Sequence, residues 1–132
     1  MPHLVIQHSA NVQTPIAELC DALRNCIVRF TDAQGQQPFP MAGTRVLAFA
    51  AGAASVANGD ATNAFVYLNL RIARGRPQAT VAALGDALVG ICNAHFSAEC
   101  GVRPVGITLQ IDEGDEVFNA KIGNLHPNSA AK

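Results

Sequence analysis

The pattern of apolar residues runs strand, helix, strand, and then repeats in the same order. In the first half, His3 to His8 is a compact branched apolar segment bounded by Ser9-Ala10-Asn11. Thr14-Pro15 follows, with a hydroxyl at the cap position and proline at the first helical position, which marks a helix start. Ile16, Leu19, Cys20, Leu23, Ile27 and Phe30 then recur at steps of three and four, the spacing of one helix face. Gly35 and the Pro38-Phe39-Pro40 turn close that helix, and Thr44 to Ala51 reads as a second strand. In the second half, Val66, Leu68, Leu70 and Ile72 alternate with Tyr67, Asn69 and Arg71, the period of a strand. Pro77 opens another helix, with a stripe through Val81, Leu84, Leu88, Ile91 and His95 flanked by Ala87, Cys92 and Phe96. Gly101 ends it, and Val105, Ile107, Leu109 and Ile111 alternate as a fourth strand.

A helical crossover between two strands makes them parallel, with a right-handed connection. The chain therefore reads as an α/β protein (α+β in some schemes). Two fused β-α-β units, over about 2–51 and 64–112, form one four-stranded sheet with both helices on one face. The Gly- and Ala-rich stretch from Gly52 to Ala61 joins them. From Asp112 the chain turns acidic, with Glu113, Asp115 and Glu116, and a polar tail runs to Lys132. Residues 113–132 are expected to form a short arm, open to exchange with a neighbouring copy.

At 132 residues this is a single domain spanning 1–132. Hydrophobic residues make up 49% with no Trp and only 5% aromatics, more apolar material than so small a core can hide. Some of it is expected to face another subunit. A net charge of −1 and 14% charged residues give no broad field toward nucleic acid or a membrane surface. Leu4-Val5-Ile6 is too short for an export segment, and no run approaches the ~20 unbroken apolar residues of a membrane helix. The expectation is a cytoplasmic protein in which Cys20, Cys26, Cys92 and Cys100 are buried, reduced thiols.

Most chemistries find no footing. Cys92 and His95 lie three apart with Cys100 nearby, but His95 falls on the apolar stripe. No paired C-x-x-C or H-x-x-x-H completes a closed metal site. There is no G-x-S-x-G elbow and no G-x-x-x-x-G-K loop. Two features remain. Removal of Met1 leaves Pro2 as a secondary amine, and an α-amino group has a pKa of ~7.7–8.0. Burial or neighbouring cations lower it further, toward a base poised at neutral pH. Arg45 opens the second strand, and Arg76 lies between the third strand and the Pro77 helix start, where guanidinium and backbone N–H groups can hold an anion. Arg71 and Arg74 crowd the same stretch.

Pro2-His3-Leu4-Val5-Ile6, Phe39-Pro40-Met41-Ala42-Gly43-Thr44-Arg45, Ala64-Phe65-Val66 with Gly75-Arg76, Ala94-His95-Phe96 and Phe118-Asn119-Ala120-Lys121 form an ordered set. In that order and spacing the chain resembles the 5-carboxymethyl-2-hydroxymuconate isomerase family of the tautomerase superfamily, over nearly its whole length. The resemblance implies a tautomerase-like fold and a homotrimer with the sheets turned inward. It also implies a cofactor-independent keto–enol isomerisation of a small, anionic, unsaturated di- or tricarboxylate in the breakdown of homoprotocatechuate, which derives from 4-hydroxyphenylacetate. The catalytic proline falls on Pro2, and the two family arginines, catalytic and substrate-binding, fall on Arg45 and Arg76. Trimer sites of this type lie between chains.

Two departures bear on substrate. Arg74 stands where the family carries a small residue, adding charge for another carboxylate, and Ala48 to Ala61 is richer in alanine than the family's pocket wall. Three other readings share the fold: a phenylpyruvate-type tautomerase, a superfamily dehalogenase, and a non-catalytic trimeric binding protein. The first two keep the Pro2 amine. All proline chemistry depends on loss of Met1, because a Met1–Pro2 bond makes the nitrogen a tertiary amide without useful basicity.

Overall fold

The structure, a computed structural model, describes residues 2–125. Six elements follow in order: β1 (His3–His8), α1 (Ile16–Arg29), β2 (Arg45–Ala50), β3 (Ala64–Ala73), α2 (Gln78–Cys100) and β4 (Val105–Gly114). They form one four-stranded sheet in the order β2-β1-β3-β4. Each helix crossover joins a parallel pair, β1 with β2 and β3 with β4. The two units meet at a central antiparallel seam between β1 and β3, with Leu4 opposite Leu70 and Ile6 opposite Leu68.

That register decides which face is covered. Leu4, Ile6, Val66, Leu68, Leu70 and Ile72 point to one side and are buried, in one cluster with Leu19, Leu23 and Ile27 of α1 and Leu84, Leu88 and Phe96 of α2. Both helices therefore lie on one face. Each of these side chains contributes about 1.5–3 kcal/mol when taken fully out of water. A one-residue slip of the seam would turn a whole strand's apolar set outward, which is why the register is unique.

The opposite face is open. Leu47 and Phe49 of β2 are 54% and 53% exposed, and Val5, Phe65 and Tyr67 are half-buried beside them. Past Gly114, Val117, Phe118 and Ile122 are almost fully exposed. The segment after β4 is therefore more apolar than the polar tail expected. β4 also runs through Asp112, Glu113 and Gly114, because their backbones pair with Arg71, Ile72 and Ala73; the arm starts after Gly114. Its remainder, 126–132, lies outside the described residues.

Several local expectations are corrected. The buried stripe of α2 is Val81, Leu84, Leu88, Cys92, Phe96 and Glu99, with Ile91 and His95 only half-buried on its flank. Apolar residues occur nearly all round this helix, so periodicity alone does not set its phase; the bulky Phe96 does. By length and composition α2 could also cross a membrane, although its large side chains pack on the sheet. Thr14 does not cap α1: Pro15 stands at the cap without a side-chain bond, and the Thr14 hydroxyl donates instead to Glu99 at 2.6 Å. Of the four free thiols only Cys92 is buried; Cys20 and Cys26 are half-buried and Cys100 is exposed.

Candidate active site

β1 and β2 start, and β3 ends, at the same edge of the sheet, and this brings distant residues together. Pro2 is buried at that edge, immediately before β1. Its carbonyl accepts the Arg45 N–H at 3.0 Å, so the first residue of β2 is tied beside it. A tight turn delivers Arg45. The Gly43 N–H donates to the Pro40 carbonyl, the Thr44 N–H to Met41, and the Thr44 hydroxyl to Pro40 at 2.8 Å. The half-buried Arg45 guanidinium then folds back, its Nη1 donating to the Gly43 carbonyl at 2.9 Å.

Arg76 reaches the same edge from the second unit, after Gly75, whose φ of +112° only glycine adopts readily. Its guanidinium lies 4.4 Å above the buried Phe39 ring, which is itself tilted against Phe30. Nη1 donates to the Ala73 carbonyl at 3.1 Å and Nη2 to the Pro38 carbonyl at 3.0 Å. Burial pushes the guanidinium below its ordinary value, opposed by Glu113, yet arginine stays charged at neutral pH. One donor, Nε, is buried with no partner among the described residues. Arg76 is thus a clamp between the two units.

His3, which motif reasoning passed over, lies next to Pro2 and pairs with Arg45 on one side and Arg71 on the other. Burial, then the Arg45 cation, lower its imidazole below the ordinary value against the pull of Glu116. His3, Arg71, Ile72, Glu116 and Asn119 line a cavity of about 190 Å³. No sequence pattern signals it, because Glu116 and Asn119 arrive from the segment after β4.

Arg74 does not offer its charge to this edge: its Nε pairs with Asp115 Oδ1 at 2.6 Å, both side chains mostly in water. The alanine-rich loop is also elsewhere within one chain. β1 carries the backbone about 23 Å (seven steps of about 3.3 Å) from Pro2 to Ser9. There, Ser9, Asn11, Ala51 to Val56, Gly59 to Ala61 and Asn63 surround a separate cavity of about 350 Å³. Three of the thiols are quietened by environment: burial raises Cys20 and Cys26 and pushes Cys92 up to about 11. Among the described residues, no three His, Cys, Asp or Glu side chains gather as a metal site. Met1, on whose removal the Pro2 amine depends, lies outside the described residues.

Comparison with known proteins agrees with this architecture. The model of the 5-carboxymethyl-2-hydroxymuconate isomerase family matches residues 2–129. The 5-carboxymethyl-2-hydroxymuconate Delta-isomerase of Escherichia coli is 28% identical over 126 residues, covering 96% of this chain and 97% of its own. A solved 5-carboxymethyl-2-hydroxymuconate delta-isomerase is 37% identical with a TM-score of 0.91, over 97% of this chain and 92% of that one. A 5-carboxymethyl-2-hydroxymuconate isomerase from Deinococcus radiodurans R1 is 29% identical with a TM-score of 0.84, over 96% and 92%. The chain belongs to the 5-carboxymethyl-2-hydroxymuconate isomerase family.

Proposed function

We propose that this chain is a cofactor-independent isomerase of 5-carboxymethyl-2-hydroxymuconate, with Pro2 as the base once Met1 is removed. One observation carries the proposal: in a member of this family, Pro2 is buried at a sheet edge, and its carbonyl accepts the Arg45 backbone N–H, which ties the start of β2 beside it. Burial and a nearby cation both disfavour a protonated amine, which keeps a secondary amine neutral and basic near pH 7. The Pro2 nitrogen takes the proton of the enol hydroxyl and returns one to a carbon farther along the conjugated chain. Negative charge grows on the dienolate and is met by the cations of Arg45 and Arg76. The same cations bind the substrate carboxylates.

The assembly in this reading is a homotrimer. The open face with Leu47 and Phe49, and the bare Val117, Phe118 and Ile122 of the arm, supply apolar surface for it. The arm crosses to a neighbouring copy, and arginines act across subunit boundaries. The setting is cytoplasmic breakdown of homoprotocatechuate, and neither nucleic acid nor membrane is a partner.

The test is direct. Processed protein, its mass checked for loss of Met1, is given 5-carboxymethyl-2-hydroxymuconate, and the ultraviolet spectrum is followed. Isomerisation well above the uncatalysed rate is expected. A spectrum that changes no faster than buffer alone would reject this substrate.

A further inference from the structure

The strand register draws a charged row across the open face beside Pro2: Arg45 next to His3, His3 next to Arg71, Arg71 next to Asp112. Leu4 and Leu70, one residue along, point into the core, so these four side chains share the outer face. Within the row Arg71 differs from the other cations at this edge. Arg45 bonds the Gly43 carbonyl, Arg74 pairs with Asp115, and Arg76 is held by two carbonyls and a ring. Among the described residues, no hydrogen bond or ion pair holds the Arg71 guanidinium.

Asp112, its partner in the strand register, and Glu116, in the same cavity, each take a side-chain amide and not this guanidinium. Asp112 Oδ2 accepts the Asn69 amide at 2.8 Å and is approached by Gln110 at 3.3 Å. Glu116 Oε2 accepts the Asn119 amide at 2.6 Å. The guanidinium instead stretches across β4 and lies on Gly114, where a Cβ would collide with its Nη2 and Cζ. It also lines the cavity that His3 and Ile72 share with the arm, one residue from Pro2. A planar, permanently charged fork with no internal partner, extended beside a cavity, suits a carboxylate from outside the protein.

We propose that Arg71 determines substrate specificity by receiving a further carboxylate, so that the site selects tricarboxylates over dicarboxylates. This rests on the isomerase reading above, in which the substrate named carries three carboxylates: the two ends of a muconate chain and the carboxymethyl arm. Arg45 and Arg76 meet the charge that develops during proton transfer, and Arg71 holds the additional group. Its contribution therefore falls on binding rather than on the chemical step.

The experiment compares wild type, Arg71→Met and Gly114→Val, two exposed or edge positions whose change leaves the core intact. Each is assayed with 5-carboxymethyl-2-hydroxymuconate and with 2-hydroxymuconate, the diacid lacking the carboxymethyl group. Binding of two unreactive probes, propane-1,2,3-tricarboxylate and pentanedioate, is measured by calorimetry. Arg71→Met is expected to raise KM for the triacid about ten- to a hundredfold, with kcat and the diacid KM nearly unchanged. Gly114→Val, which keeps the charge but displaces it, is expected to do the same. The preference for the tricarboxylate probe should vanish in both variants. An equal rise of KM for both substrates, or a probe preference as large in Arg71→Met as in wild type, overturns the assignment. If wild type turns over neither substrate yet binds the tricarboxylate through Arg71, the isomerase reading fails while the Arg71 assignment stands.

Discussion

Glu99 is the one acid on the buried face of α2, and its removal should destabilise the protein by about 3–5 kcal/mol. Its carboxylate collects four donors. Oε1 accepts the Thr14 N–H at 2.9 Å and the Thr14 hydroxyl at 2.6 Å, and Oε2 accepts the Gln13 N–H at 2.9 Å and the Arg103 guanidinium. Arg103 also donates to the Asn11 carbonyl. The end of α2 is thereby stitched to the link between β1 and α1. Glu99→Ala strands two backbone donors, a hydroxyl and a largely buried guanidinium, each costing about 1–3 kcal/mol if left unmet, less whatever water or relaxation recovers. Against a total of about 5–15 kcal/mol this is a large share. At fixed protein concentration, urea unfolding should show a lower midpoint with an unchanged slope. The same contacts set a pH dependence. Burial on its own raises the Glu99 carboxyl, but the Thr14 hydroxyl, the two N–H groups and Arg103 outweigh it and hold the group at about 2, below its ordinary 4.5. A depressed carboxyl contributes stability above the unfolded value and loses it as pH falls through the folded one. The gap between wild type and Glu99→Ala should therefore be full above about pH 5 and shrink steadily from 4.5 toward 2. A loss under about 1 kcal/mol, or a gap that does not change across that window, would refute the reasoning.

Other outcomes follow from the same geometry. Arg76→Ala should lower kcat/KM at least ~10²-fold, the scale of removing one group that stabilises developing charge; an unchanged value would take Arg76 out of the site. Phe118→Asp, at a position 87% exposed in the single chain, should weaken assembly in light scattering without changing the far-ultraviolet dichroism. A thiol reagent at pH 8 should modify the exposed Cys100 first and reach Cys92 only on unfolding, given its burial and raised pKa. Simultaneous modification of both would contradict the packing of α2.

The elements were legible because their periods are local. The alternation from Val66 to Ile72 and the steps from Ile16 to Ile27 each fit one geometry, and the helical crossovers then force parallel pairs. The antiparallel seam was not legible, since the pairing of Leu4 with Leu70 joins residues far apart and no turn motif sets it. The phase of α2 was obscured by alanine and glycine on its outer side. At the candidate site, Pro2 and Arg45 could be named from their positions in a pattern, but not the hydrogen bond that joins them. The partners of Arg76 could not be named at all: Pro38 is 38 residues away and the bond uses only its backbone carbonyl. Glu99 was overlooked for a related reason. A lone acid near a helix end reads as solvated until the fold brings Gln13, Thr14 and Arg103 to it.

The central claim is that the free amine of Pro2 moves the proton, and Met1 is the switch that tests it. The same chain should be prepared with Met1 removed and with Met1 retained, each form verified by intact mass, and kcat/KM measured on 5-carboxymethyl-2-hydroxymuconate. Activity that rises in proportion to the Met1-free fraction, and falls to the uncatalysed rate when Met1 is kept, is the predicted result. Equal activity in the two forms would contradict it, because an amide nitrogen cannot serve as the base.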